Sequence, residues 1–123
     1  MEKLIIGLIL HFVGDYLLQN DWMAQEKTKQ HKAAFIHAFI YSIGFYFLVG
    51  FLGWLVIFFT HFLIDRYRLA TYWIKLVNWN WQSTNFGFDN NKPLWMSVWL
   101  MIIIDNVWHI LINTVVIYIT LKL

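Results

Sequence analysis

Apolar residues form three long runs along the chain, and polar stretches separate these runs. The runs cover residues 4–22, 33–64 and 94–120. Because a helix needs about 20 apolar residues to cross the hydrocarbon core of a bilayer, the first and third runs each predict one transmembrane helix. The second run is too long for one ordinary span.

Two glycines near the middle of the second run indicate a turn there. Gly50 and Gly53 tolerate backbone angles that other residues resist. A turn at this point divides the run into two helices, the second of which extends into the polar stretch that follows. The predicted fold is an all-α, polytopic bundle of about four transmembrane helices in one domain, 1–123, with helices at 4–22, 33–49, 54–72 and 94–120.

The connections between the predicted helices are basic and aromatic. Three basic residues follow the second apolar run and are predicted to contact phosphate or lipid headgroups. They are Arg66, Arg68 and Lys75. Residues 78–91 are rich in Asn and aromatics and predict a loop, and Pro93 suits the first turn of the last helix.

The distribution of positive charge predicts the orientation in the membrane. The two long connections carry all of the Lys and Arg except Lys3 and Lys122. Lys and Arg concentrate in cytoplasmic loops of membrane proteins. We therefore expect a protein of the bacterial inner membrane, with both termini outside and both long connections in the cytoplasm.

Composition supports the membrane prediction. Hydrophobic residues make up 60% of the chain and charged residues 13%. In a typical soluble domain about half of the residues are hydrophobic and about a quarter are charged. A soluble chain of 123 residues has too much surface for its volume to bury such a fraction. A net charge of +2 indicates no broad nucleic-acid surface, and the absence of Cys excludes disulfides and thiolate metal sites.

Ionisable residues inside the predicted helices are the candidate functional groups. Burying a charged group in a bilayer costs free energy, so such residues usually have a function there. His and Asp occur four residues apart in three helices, a spacing that places both side chains on one helix face. The pairs are His11 with Asp15, His61 with Asp65, and Asp105 with His109, and His37 lies on the second helix.

The order of the pairs predicts one shared site. The first and third helices run inward with His before Asp, and the last helix runs outward with Asp before His. All three Asp residues therefore lie on the cytoplasmic side of their His partners. Unrelated packing contacts would not require this common depth, although any single pair could simply join two helices by a hydrogen bond.

His and Asp are ligands for Zn, Mn and Fe, and such an ion would make a coordinated water more acidic. The sequence therefore predicts a divalent metal site in which Asp carboxylates act as ligands or as general bases. The predicted metal ligands are His11, Asp15, His37, His61, Asp65, Asp105 and His109. The predicted catalytic residues among them are Asp15, Asp65 and Asp105. Gln19, Tyr41, Asn106 and Asn113 are predicted to hydrogen-bond to the ligands.

Three segments resemble an uncharacterised family of small bacterial and phage membrane proteins, a domain of unknown function. They are 11–19 (HFVGDYLLQ), 61–68 (HFLIDRYR) and 105–109 (DNVWH). The His-x-x-x-Asp helices are more distantly similar to membrane-bound metal-dependent hydrolases, which implies a hydrolase-like activity.

Three functions remain open from the sequence. The first is a metal-dependent hydrolase that acts on a phosphoester or lipid-linked substrate. The second is a metal-ion or proton transporter or channel component, in which the same polar residues line a path. The third is an accessory membrane protein in which a metal stabilises the fold. The predicted partner is the lipid bilayer, a homo-oligomer stays open, and no nucleic-acid partner is expected.

Overall fold

The computed structural model describes residues 1–122 and is all-α. Leu123, the last residue of the predicted domain, lies outside the described residues. A π-helical turn, Val13–Leu17, continues the first helix. The α-helices are α1 (Glu2–Phe12), α2 (Asp21–Glu26), α3 (His31–Tyr67), α4 (Leu69–Val77) and α5 (Leu94–Lys122).

Helix α3 folds back on itself at Gly50. This glycine has φ 72° and ψ −177°, a conformation that is essentially restricted to glycine. The Nε2 atoms of His37 and His61 lie 3.0 Å apart. Along a straight helix these residues would be separated by about 36 Å. Helix α3 is therefore a hairpin with arms 31–49 and 51–67, and the turn predicted in this region lies at Gly50.

The first and third predicted helices end earlier than expected. The helix predicted over 4–22 stops at Leu17, and Asn20 begins α2 by accepting a hydrogen bond from the Met23 amide. The helix predicted over 54–72 stops at Tyr67, because Arg68 adopts the left-handed conformation (φ 47°, ψ 53°) and α4 starts after it. Helix α5 begins at Leu94, the predicted first residue, and continues to Lys122, two residues beyond the predicted end.

Within residues 1–122, two helices are long and apolar enough to cross a membrane, rather than the four that the sequence predicts. These are α3 and α5. Helix α1 has 11 residues and its π-helical extension 5, which together fall short of the length of about 20 that a span requires.

The core lies between α1, the two arms of α3 and α5. Its buried residues are Tyr41, Phe45, Val49, Ile57, Val116 and Ile117. Close packing of the π-helical turn depends on Gly14, where an added Cβ would lie 2.5 Å from Tyr41 Cδ2 and 3.1 Å from Tyr41 Cα. Helices α2 and α4 pack against the end of the bundle opposite the Gly50 turn, and this end holds the buried His and Asp side chains.

Candidate metal centre

Four buried side chains from α3 and the π-helical turn converge at this end of the bundle. Asp15 comes from the π-helical turn, His37 from the first arm of α3, and His61 and Asp65 from the second arm. One nitrogen or oxygen atom of each residue lies within 4.8 Å of the corresponding atoms of the other three. We call these four residues the first ligand set.

The nitrogen and oxygen atoms of the first ligand set are close enough together for one cation to contact all four. His37 Nε2 lies 3.0 Å from His61 Nε2, 3.1 Å from Asp65 Oδ2 and 3.2 Å from Asp15 Oδ1. One ring nitrogen has a single bonding direction, so it cannot hydrogen-bond well to three partners at once. Four ligands at about 2.0–2.1 Å from a tetrahedral ion would lie about 3.4 Å from one another. The four groups can therefore hold a metal ion.

A second group of residues shares Asp65 with the first. His109 Nε2 lies 3.1 Å from Asp65 Oδ1 and 3.3 Å from Asp105 Oδ2. One nitrogen or oxygen atom from each of Asp65, Asp105 and His109 also lies within 4.8 Å of the other two, and we call these residues the second ligand set. The two oxygens of Asp65 thus point in different directions, with Oδ2 toward His37 and His61 and Oδ1 toward His109.

The π-helical turn positions Asp15. The Leu18 amide donates to the Val13 carbonyl at 3.0 Å, five residues back instead of four. One extra residue in the turn rotates the chain relative to an α-helix, and such π-turns often occur at functional sites. Asp15 Oδ1 faces His37 and His61, while its Oδ2 lies 3.5 Å from His11 Nδ1.

His11 lies outside both ligand sets, and its role as a metal ligand stays a prediction. Its Nε2 lies 2.7 Å from Asn106 Oδ1, which can only accept, so Nε2 is the protonated nitrogen. Its Nδ1 then accepts from the Tyr41 hydroxyl at 3.0 Å. Both nitrogens are engaged, and Asn113 donates to the same hydroxyl at 2.6 Å. His11 therefore belongs to a polar network beside the centre.

The four predicted hydrogen-bonding residues have different positions. Tyr41 stacks on the ring of His61 at a centroid distance of 3.6 Å, so it supports a ligand by its face as well as by its hydroxyl network. Asn106 and Asn113 bind His11 and Tyr41 instead of the two ligand sets. Gln19 lies beside the centre, and its Oε1 is buried without a hydrogen-bond partner among residues 1–122.

Lys27 is part of the centre, and the sequence analysis missed it. Its Nζ donates to Asp65 Oδ2 at 2.8 Å and lies 3.4 Å from His37 Nε2. Burial disfavours its ammonium form, but the carboxylates of Asp65 and Asp15 favour it more strongly and raise the pKa of Lys27 above its usual value. Three lysines occur in this polar stretch, and no sequence signal distinguishes the one that turns inward.

A cavity of about 340 Å³ opens beside the ligands. Its polar wall includes Asp15, Gln19, Lys27, Asp65, Arg68 and Asp105, and its apolar wall includes Phe86, Val98, Met101 and Ile102. Every acidic residue of the two ligand sets contributes to this wall. The cavity is therefore the route by which a small molecule could reach the centre.

The three basic residues predicted to bind headgroups lie at different places in the structure. Arg68 lines the cavity, and its guanidinium packs over the Phe86 ring. Arg66 instead donates to the Thr28 carbonyl at 2.8 Å, which joins α3 to the segment before it. Lys75 lines a separate surface cavity of about 280 Å³. Of the three, only Arg68 lines the cavity beside the centre.

Comparison with other proteins places the chain in a family without assigning it an activity. No curated protein and no solved structure matches the sequence. The model of one protein family matches residues 4–123, which is almost the whole chain. The chain belongs to this family, which is described as a protein of unknown function (DUF3307).

Proposed function

We propose that this chain is an integral membrane protein with a metal-dependent hydrolase site at the cytoplasmic end of its helices. The surface supports the membrane assignment. Large apolar side chains are exposed along α5, including Trp99, Ile103, Val107, Leu111 and Val115. Soluble monomers rarely expose contiguous apolar patches of more than a few hundred Å². In this proposal α5 and both arms of α3 lie in the hydrocarbon layer and α1 packs beside them.

Convergence of the first ligand set is the observation that carries the metal assignment. Two imidazoles and two carboxylates meet at 3.0–3.4 Å with side chains that are at most 10% exposed. Burying the Asp15 and Asp65 carboxylates with oxygens within 4.8 Å of each other is costly unless cations offset both charges, and Lys27 supplies one positive charge. Zn suits a tetrahedral set of nitrogen and oxygen ligands, and Mn and Fe accept the same ligand types.

The surroundings of the ligands favour hydrolysis of a phosphoester. A bound divalent ion would lower the pKa of a coordinated water to about 7. Asp105, whose side chain is 22% exposed and lines the cavity, would accept a proton from that water. The water oxygen would bond to phosphorus as the ester P–O bond breaks, and Asp105 would pass the accepted proton to the leaving oxygen. Lys27 and Arg68 supply positive charge to the same cavity.

Access from one side favours an enzyme over a transporter. The 340 Å³ cavity reaches the centre from the end of the bundle that carries α2 and α4. Beyond His11, the recess toward the other end has a volume of only about 20 Å³ and is lined mainly by apolar residues of α1 and α5. This recess is about the size needed to hold a single water. A path for ions through one copy of the chain would need a wider opening there.

The proposal is tested with protein purified in detergent without chelators. We expect stoichiometric metal and metal-dependent release of phosphate from dioleoyl phosphatidate or from a soluble aryl phosphate. His61→Gln should remove both the metal and the turnover. His31→Gln is the matched control, because His31 lies outside both ligand sets and accepts a hydrogen bond from Arg66.

Three results separate the proposal from its alternatives. Turnover by metal-free protein would refute the metal-dependent mechanism. Stoichiometric metal with no turnover of any phosphoester would indicate an accessory protein with a structural metal. Ion flux in proteoliposomes that is lost on Asp65→Asn would indicate a transporter.

A further inference from the structure

We propose that the centre binds two divalent ions bridged by Asp65, and that the second ion faces the cavity and binds the phosphate of the substrate. The first ligand set holds one ion, and the second ligand set (Asp65, Asp105 and His109) holds the other. Asp105 binds this ion through Oδ2, the oxygen that lies 3.3 Å from His109 Nε2, and its second oxygen stays free to accept the proton of the water. This inference rests on the proposed function, since it concerns the same site and the same class of substrate.

The first argument is the geometry of Asp65. Its Oδ2 lies 3.1 Å from His37 Nε2 and 3.2 Å from His61 Nε2, whereas its Oδ1 lies 3.1 Å from His109 Nε2. One carboxylate therefore presents a different oxygen to each group of imidazoles. A carboxylate that bridges two ions has this arrangement, and paired catalytic metals lie about 3.5–4 Å apart.

The second argument is the number of ligands. The first set provides four protein ligands, so a coordinated water there would be the fifth ligand of its ion. The second set provides three, which leaves one position for water or substrate, as in catalytic sites. Asp105 is also the most exposed of the ligands at 22%, compared with 2% for Asp65. The open position therefore belongs to the second ligand set, which contains the most exposed of the ligands, Asp105.

The third argument is charge. With neutral imidazoles, the three carboxylates of the two sets and the ammonium of Lys27 carry a net charge of about −2. One divalent ion makes this centre neutral, and two make its charge about +2. A phosphate monoester at neutral pH carries a charge of about −2 at most. The centre with two ions therefore matches the charge of a phosphate monoester by itself, whereas with one ion the positive charge would come from Arg68 at the cavity wall.

Metal stoichiometry tests the inference without any assay of activity. The full chain is loaded with Mn²⁺ in detergent, excess metal is removed, and bound Mn²⁺ is measured by mass spectrometry and by electron paramagnetic resonance. We expect two ions per chain with the spectrum of an exchange-coupled pair. The variant Asp105→Asn/His109→Gln should retain one ion per chain and show the spectrum of an isolated ion. The control Asp21→Asn/His31→Gln, which removes the same residue types outside both sets, should retain two.

The outcomes distinguish this inference from the proposed function. One uncoupled ion per wild-type chain, lost on His37→Gln but retained in Asp105→Asn/His109→Gln, would overturn the second site and leave the proposed function standing. No bound metal in the folded wild-type chain would overturn both. Two ions that remain coupled in Asp105→Asn/His109→Gln would overturn the assignment of the second ligand set. The wild-type spectrum decides between one ion and a pair even if the variant fails to fold.

Discussion

In the proposed metal centre Lys27 and the ion would compete for the same carboxylate of Asp65, so removal of Lys27 tests the charge balance of the centre. The proposed change is Lys27→Met, which keeps a long apolar side chain and removes the ammonium. Lys27 Nζ lies 2.8 Å from Asp65 Oδ2. An ion bound to that oxygen at about 2.2 Å would lie within about 5 Å of Nζ.

The size of the effect follows from this distance. Coulomb repulsion between a unit charge and a divalent ion at about 5 Å is about 7 kcal/mol at an effective dielectric constant of about 20. Lys27 is 18% exposed and can move toward water, so much of this repulsion is relieved in the metal-bound protein. We expect the coupling to fall in the ordinary range of about 1–3 kcal/mol, which corresponds to metal binding about 5–150-fold tighter in the variant.

The metal-free variant should show the opposite effect. Removing Lys27 leaves the buried Asp65 carboxylate without its cation, and breaking a buried pair of this kind costs about 3–5 kcal/mol. The free energy of unfolding of Lys27→Met should therefore fall strongly without metal and recover when metal is added. Linkage requires this, because a ligand that binds the folded state more tightly stabilises it more.

The assay is competition with a fluorescent chelator on detergent-solubilised protein, together with thermal unfolding with and without metal. Lys29→Met is the matched control. It removes a charge two residues away whose salt bridge is with Glu26 and whose side chain is 64% exposed. The control should leave metal affinity unchanged. Equal or weaker metal binding by folded Lys27→Met would refute the competition between Lys27 and the ion.

Two further predictions concern glycines that position the centre. Gly14→Ala should lower the free energy of unfolding by about 1–3 kcal/mol and weaken metal binding, because the new Cβ would meet the backbone of Tyr41 at 3.1 Å. Gly44→Ala should cost less, since its Cβ would meet the flexible end of Leu10, and equal losses in thermal unfolding would contradict this reasoning. Gly50→Ala should cost about 1–3 kcal/mol through backbone strain alone, because no heavy atom lies within 4 Å of its added Cβ. Urea unfolding in detergent would measure this cost, and an unchanged midpoint would show that the turn tolerates a side chain.

The spacing of His and Asp was enough to predict that the carboxylates of Asp15, Asp65 and Asp105 approach one another. A four-residue interval places two side chains on one helix face, and the reversed order in α5 indicates a common depth. The structure places the Asp side chains of all three pairs at one cavity wall. The turn in α3 was also predictable, because glycine is the residue type that most readily adopts the backbone angles of a tight turn, and Gly50 lies near the middle of the apolar run.

Other features depend on tertiary contacts that a sequence pattern does not contain. Spacing predicts that His11 shares a face with Asp15, but it cannot show that Asn106 and Tyr41 occupy both ring nitrogens of His11. The π-helical turn has the composition of an ordinary helix. Lys27 reaches Asp65 only because α2 packs against α3. These contacts arise between segments distant in the chain, where periodicity carries no information.

The division of the ligands along the chain has a consequence for biosynthesis. Every member of the first ligand set lies within residues 1–67, whereas two members of the second lie on α5. Chains leave the ribosome from the N-terminus, and their early segments can fold first. All residues proposed to hold the first ion are therefore present while α5 is still being synthesised. Docking of α5 then supplies the last two residues of the second ligand set and closes one wall of the cavity, so on the proposed mechanism a nascent chain would bind its first ion before it could bind a substrate.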